Sequence, residues 1–179
     1  MKTSRIIKSF AIAACGLFFS AVLSAAEVDI NGAFAGKGAM PDGWRANRPN
    51  LWDPEGSLKM NKVPDIEKVS VQITSVKKKM NLYSAKAIPV QKGNIVEIKG
   101  MVKGKGKGSF GVYMYPMGSA NYKGFSATDE WTEFTAKLDI TNGKVKEVRV
   151  VLAVGPGSSV EFMNISASVL DGSAAAEKK

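Results

Sequence analysis

Histidine is missing altogether from this 179-residue chain, and cysteine occurs once, at Cys15. Without imidazole there is no Ser-His-Asp triad, no histidine-based zinc site and no side chain that titrates near neutral pH of its own accord. A single cysteine cannot close an internal disulfide. Catalysis would have to rest on carboxylates or lysine. The candidates Asp129, Glu130 and Glu133 lie close together at a turn and the strand after it, whereas paired acids need a separation of about 5 to 9.5 Å across a cleft. The chain is therefore not expected to be an enzyme. Long apolar runs are scarce as well. The longest, Phe10 to Leu23, covers 14 residues, short of the roughly 20 that cross a bilayer. After Ala26 no sustained helical periodicity occurs.

What is present begins with Lys2, Arg5 and Lys8, then that apolar run, then Ser24-Ala25-Ala26. A basic start, an apolar middle and small residues before the cut are the parts of a secretory signal peptide, so cleavage is expected after Ala26. Two other readings of the stretch are weaker. For an uncleaved anchor the run is short, and for lipoprotein processing at Ile12-Ala13-Ala14-Cys15 it continues past the cysteine. The expected organisation is a signal over 1–26, one domain over 27–170 and a disordered tail over 171–179. The chain is expected to be exported, periplasmic or secreted, with no membrane span once the signal is gone. Three of the 25 basic residues leave with the signal, so the remaining 153 residues carry 22 bases against 16 acids, a net charge of +6. That balance suits anionic glycans, lipid headgroups or plain solubility. Nucleic acid is not an expected partner of an exported domain.

The rest of the chain is short runs of β-branched and aromatic residues punctuated by Gly, Pro, Asn and Asp. Val69, Val71 and Ile73 alternate with Ser70, Gln72 and Thr74. Val96, Ile98 and Val102 alternate with Glu97, Lys99 and Lys103, and Phe110, Val112 and Met114 with Gly111, Tyr113 and Tyr115. Phe134, Ala136, Leu138 and Ile140 share a face, Val145 to Val154 reads as a central strand covered on both faces, and Val160 to Leu170 closes the domain. Turns are expected at Gln91-Lys92-Gly93-Asn94, Thr141-Asn142-Gly143-Lys144 and Gly155-Pro156-Gly157, and a flexible hairpin at Lys103-Gly104-Lys105-Gly106-Lys107-Gly108. Eight or more strands in one domain predict an all-β fold, a two-sheet antiparallel β-sandwich of jelly-roll type.

The order of landmarks carries a resemblance. Asn31-Gly32-Ala33-Phe34 is followed by Pro41-Asp42-Gly43-Trp44, then Ile88-Pro89-Val90 with Gly93, then Val102-Lys103-Gly104. Phe125 to Phe134 and Val160-Glu161-Phe162-Met163-Asn164-Ile165 complete the series. Together they resemble the galactose-binding-like jelly roll of family 4 and family 9 type carbohydrate-binding modules, from Ala26 to about Leu170. The resemblance implies a sandwich that binds polysaccharide without cutting it. Members often hold a structural calcium with acids after the first Gly-x-Phe and in the last strand. Here Ala35, Met163 and Asn164 stand at those places, so no metal and no cofactor is expected.

Sugar recognition asks for a flat aromatic face and for polar groups that meet hydroxyls. The segment Trp44 to Asp53 mixes both, with Trp52, Arg45 and Asn50 the expected ligand contacts. The alternative is that Trp44 seals the sandwich edge and its arginines are solvated. Tyr113 and Tyr115 share a strand face and form a platform or pack under a loop; Tyr122 adds a rim contact. Trp131 is expected in the core. The lysines at 77–79 and at 103, 105 and 107 attract acidic polysaccharide or, the favoured reading, keep sheet edges soluble. Two functions fit: a secreted non-catalytic polysaccharide-binding module, its partners including anionic polysaccharide, that stacks sugar rings on exposed aromatics; or an extracytoplasmic structural or interaction sandwich that has lost its sugar site.

Overall fold

A computed structural model describes residues 26–46, 52–64 and 67–172. Nearly all of the expected signal, residues 1–25, and most of the expected tail, residues 173–179, lie outside the described residues, as do residues 47–51. The strands, in chain order, are β1 (Ala26–Val28), β2 (Trp44–Ala46), β3 (Ser57–Val63), β4 (Lys68–Ser75), β5 (Met80–Ser84), β6 (Ile88–Pro89), β7 (Asn94–Tyr115), β8 (Ser119–Ala127), β9 (Thr132–Asp139), β10 (Glu147–Val154) and β11 (Ser158–Asp171). Asp171, placed by sequence in the tail, is the last residue of β11 and pairs with Asn94.

All pairings are antiparallel, and they form one curled sheet that folds into two layers at the middle of β7. The N-terminal half of β7 lies between β9 and β11, with β4, β3 and β1 beyond β11. Its C-terminal half lies between β8 and β10, with β5, β2 and β6 beyond. This is the arrangement of a jelly-roll sandwich.

One expectation is corrected here. Lys103 to Gly108 is no hairpin. It is the midpoint of a 22-residue strand that passes from one layer to the other. The residues on either side of it pair outward: Val102 with Thr132 and Phe162, Gly108 with Phe125 and Val154. Gly104 and Gly106 have φ of 135° and 92°, angles open to glycine and strained for other residues. A side chain at Gly104 would run into the Ser159 carbonyl, and one at Gly106 into the Ser158 side chain. The strand bends there because its neighbour β11 passes close by.

Between the layers, Phe110 meets Phe134, Phe125 and Phe162 at ring separations of 5.4, 5.7 and 6.0 Å. Val71, Ile73, Leu82, Ile98, Val150 and Leu152 complete the apolar interior. Trp44 is 3% exposed, packs on Phe34 and donates its indole N–H to the Asn31 carbonyl at 3.0 Å. It therefore belongs to the core, as the sealing alternative holds. The Asn31 amide also bonds the carbonyls of Ala35 and Asp42, at 2.9 and 2.6 Å. These bonds clasp the first two sequence landmarks together. β10 is buried on both faces, as the run Val145 to Val154 predicts.

Candidate functional site

Burial of β10 on its outer face has to be explained, because no third layer is present among the described strands. Val151 and Ala153 point away from the interior, yet are 0% and 1% exposed. Register identifies what covers them. Arg45, Tyr83, Val151, Gly111 and Tyr122 form one row across β2, β5, β10, β7 and β8. Arg149, Tyr113 and Ala120 form the next row on the same face, and Glu147 and Tyr115 the one after. All four tyrosines of the chain thus lie on one face of one layer.

Small residues let the rings lie down. A side chain at Gly111 would meet the Tyr122 ring, so the glycine is the floor on which that ring rests. Tyr83 meets Tyr113 edge-on at 5.8 Å, and Tyr113 meets Tyr115 at 4.9 Å. Such edge-to-face contacts fix ring orientation. Tyr115 ends the series, 39% exposed. Burial, with Tyr83 and Tyr113 adding to it, pushes the Tyr122 hydroxyl up to about 12, so it stays protonated as a donor.

Polar groups frame the rings. The Asn81 amide donates to the Tyr83 hydroxyl at 3.2 Å, and its own carbonyl oxygen is buried with no partner among the described residues. Arg149 donates to the backbone carbonyls of Ala85 and Ser84 and lies 5.7 Å from the Tyr115 ring centre, while its Nε is buried with no partner among the described residues. The Lys79 ammonium sits 3.5 Å from the centre of the Tyr122 ring, and burial lowers its pKa. Lys79 is brought there by Asp53, 2% exposed, whose carboxylate accepts the backbone N–H groups of Val76, Lys77 and Lys78 and so folds the loop between β4 and β5. The face thus combines aromatic surface with the polar side chains of Arg45, Asn81 and Arg149, the kinds of group needed to meet an alcohol-rich, partly apolar ligand.

Of the residues expected from sequence, Arg45, Tyr113, Tyr115 and Tyr122 share this face. Trp52 does not join them. It is half-buried against the core, its indole N–H enclosed with no partner among the described residues, and it makes no ring contact with the tyrosines. Asn50 lies outside the described residues. Trp131, expected in the core, is half-exposed just before β9 and is not packed into the interior; the Phe134 ring fills that place instead. Tyr83, Asn81 and Arg149 are not among the residues expected from sequence, whereas Lys79 belongs to the lysine run at 77–79 for which acidic polysaccharide is one of the two readings. The available signal was the alternation of Asn81 and Tyr83 with Met80, Leu82 and Ser84.

Asp129, Glu130 and Glu133 are all exposed. Among the described residues no group of three or more acidic, cysteine or histidine side chains is placed to hold a metal. A depression of about 440 Å³ bordered by Lys92, Asn94, Asp139 and Thr141 has no aromatic ring in its lining.

A family model described as a carbohydrate binding domain matches residues 27–159. Among solved structures, the CBM22-1 xylan-binding domain from Paenibacillus barcinonensis is similar with a TM-score of 0.52 and 15% identity, over 78% of this chain and 92% of that one. A family 29 carbohydrate binding module gives a TM-score of 0.52 and 14% identity, over 80% and 85%. The enzymatically active domain of bacteriophage CBA120 tailspike protein 4 gives 0.55 and 10% over 72% of this chain, which spans only 19% of the tailspike chain. At such identities the likeness is one of fold. No curated protein matches the sequence.

Proposed function

The chain belongs to the carbohydrate binding domain family that matches residues 27–159, and from that membership we propose that its tyrosine face is the surface on which it holds polysaccharide. The chain is a non-catalytic polysaccharide-binding module. The observation that carries the assignment of the face is the gathering of all four tyrosines, from three separate strands, beside Arg45, Asn81 and Arg149.

Tyr83, Tyr113 and Tyr115 offer ring faces and edges to the apolar side of sugar rings. Arg45, Asn81 and Arg149 meet the hydroxyls, which would otherwise lose their water on binding. Tyr122 acts at the rim. Trp52 packs against the core and is not proposed as an anchor. The partner is a polysaccharide, with negatively charged chains among those that the cations Lys79, Arg45 and Arg149 accept. Membership in the family carries an extracytoplasmic role; the finer reading is export through the signal over 1–26 to the periplasm or the medium, which requires an exported chain beginning at Glu27 on N-terminal sequencing.

The test uses isothermal titration against the glycans captured in an array screen, with wild-type protein and Tyr115→Ala. Truncating a central aromatic contact typically removes about 2 kcal/mol, so affinity should fall roughly thirtyfold. The melting temperature should hardly move, because the Tyr115 ring is exposed. Unchanged affinity in both Tyr115→Ala and Tyr83→Ala would move binding off this face. Capture of no glycan at all would favour the structural reading, in which the rings serve only to cover Val151 and Ala153.

A further inference from the structure

Three lysines follow one another at 77–79, and the fold treats them differently. Asp53 gathers the backbone N–H groups of Val76, Lys77 and Lys78, and Lys77 turns to pair with Glu55. Lys79 turns the opposite way, onto the Tyr122 ring, with no carboxylate in ion-pair range among the described residues. Lys107 borders the same end of the face. It shares the outward side of β7 with Gly111 and Tyr113, and its carbonyl accepts the Gly155 N–H at 2.9 Å. Among the described residues the charges of the face are therefore Lys79, Lys107, Arg45 and Arg149 against Glu147, which sits at the far end beside Tyr115.

We propose that the Lys79 end of the tyrosine face is a subsite for an acidic sugar unit, in which the Lys79 ammonium, backed by Lys107, receives a carboxylate or sulfate ester. The inference rests on the assignment of polysaccharide binding to this face. Tyr122 has its ring covered by Lys79, so it seats the cation and is a positioning residue; the stacking surface is left to Tyr83, Tyr113 and Tyr115. A half-buried ammonium without a counter-ion attracts an anion more strongly than a fully hydrated one does. It also discriminates, because a neutral sugar lying over it would strip water from the charge without replacing it. Asp53 positions this cation at one remove, by holding the loop that delivers it.

The test is an array carrying neutral glycans, uronic acid glycans beside their carboxyl-reduced counterparts, and sulfated glycans beside their desulfated ones. It is probed with the mature chain, with Lys79→Met and with Lys62→Met, a lysine on β3 in the other layer. Wild-type protein should capture one acidic class at least about tenfold better than its neutral counterpart, and Lys79→Met should reduce that ratio by about tenfold, as loss of one partner of a desolvated charge pair does. The arm that responds tells carboxylate from sulfate, and Lys62→Met should leave the ratio as in wild type. Equal capture of acidic and neutral partners, or an acidic preference that survives Lys79→Met, overturns the subsite while leaving polysaccharide binding in place. Capture of no glycan removes both.

Discussion

Asp53 determines the shape of the loop between β4 and β5. Burial alone would raise the pKa of its carboxyl, but the N–H groups of Lys78, Lys77, Val76 and Glu55 outweigh that and hold it at about 2, against an ordinary 3.8. A depressed folded-state pKa means stability that is present above the ordinary value and lost as the pH falls toward and through about 2. Comparing wild type with Asp53→Asn by chemical denaturation should therefore show a gap that is constant from neutrality down to the ordinary carboxylate range and narrows below it. A gap independent of pH would mean the charge plays no part. Little in the local sequence marks this aspartate: apart from the Glu55 N–H two residues on, the groups its carboxylate binds lie 23 to 25 residues further on. The same distance hides the role of Trp52. A tryptophan among arginines and asparagines reads as a surface anchor, and only packing from other strands turns it toward the core. Trp131 errs in the other direction, because Phe134, three residues on, already fills the interior.

At the scale of strands, legibility followed length and contrast. The runs around Val71, Val96, Ala136 and Val150 alternate or stay apolar for many residues, and all were readable as strands. β5 has only five residues and β8 is an edge strand with polar side chains on both faces, so neither stands out, and Tyr83 was missed with the first. The bend in β7 was misread because lysine–glycine repeats suit a reversing loop as well as a bent strand; β11 passing alongside decides between them. Gly106→Ala should cost more than about 2 kcal/mol, combining an unfavourable φ with a clash against Ser158. Gly93, with φ of 94° and nothing within 4 Å of an added Cβ, should cost only about 1–2 kcal/mol on the same substitution. Denaturant melts of the two variants check the order, and equal losses would show that the close approach of β11 contributes nothing.

On the scale of the whole molecule, fold class and family were legible, because strand count, turn chemistry and the order of landmarks survive without knowledge of pairing. The face was only half legible. Alternation along β7 put Tyr113 and Tyr115 together, but the arrival of Tyr83 and Tyr122 beside them depends on cross-strand register, which no single stretch encodes. That register also separates the two chromophore types. Every tyrosine is on the proposed binding face, whereas Trp44 is in the core, Trp52 packs against it and Trp131 stands before β9 in the opposite layer. The molecule thus carries two optical reporters that watch different events. Saturating glycan should perturb the near-ultraviolet absorption and circular dichroism of tyrosine, while emission excited at the red edge, where tryptophan alone absorbs, should change little until the fold melts. A titration that moved the tryptophan signal and left the tyrosine bands still would put the sugar somewhere else on the molecule.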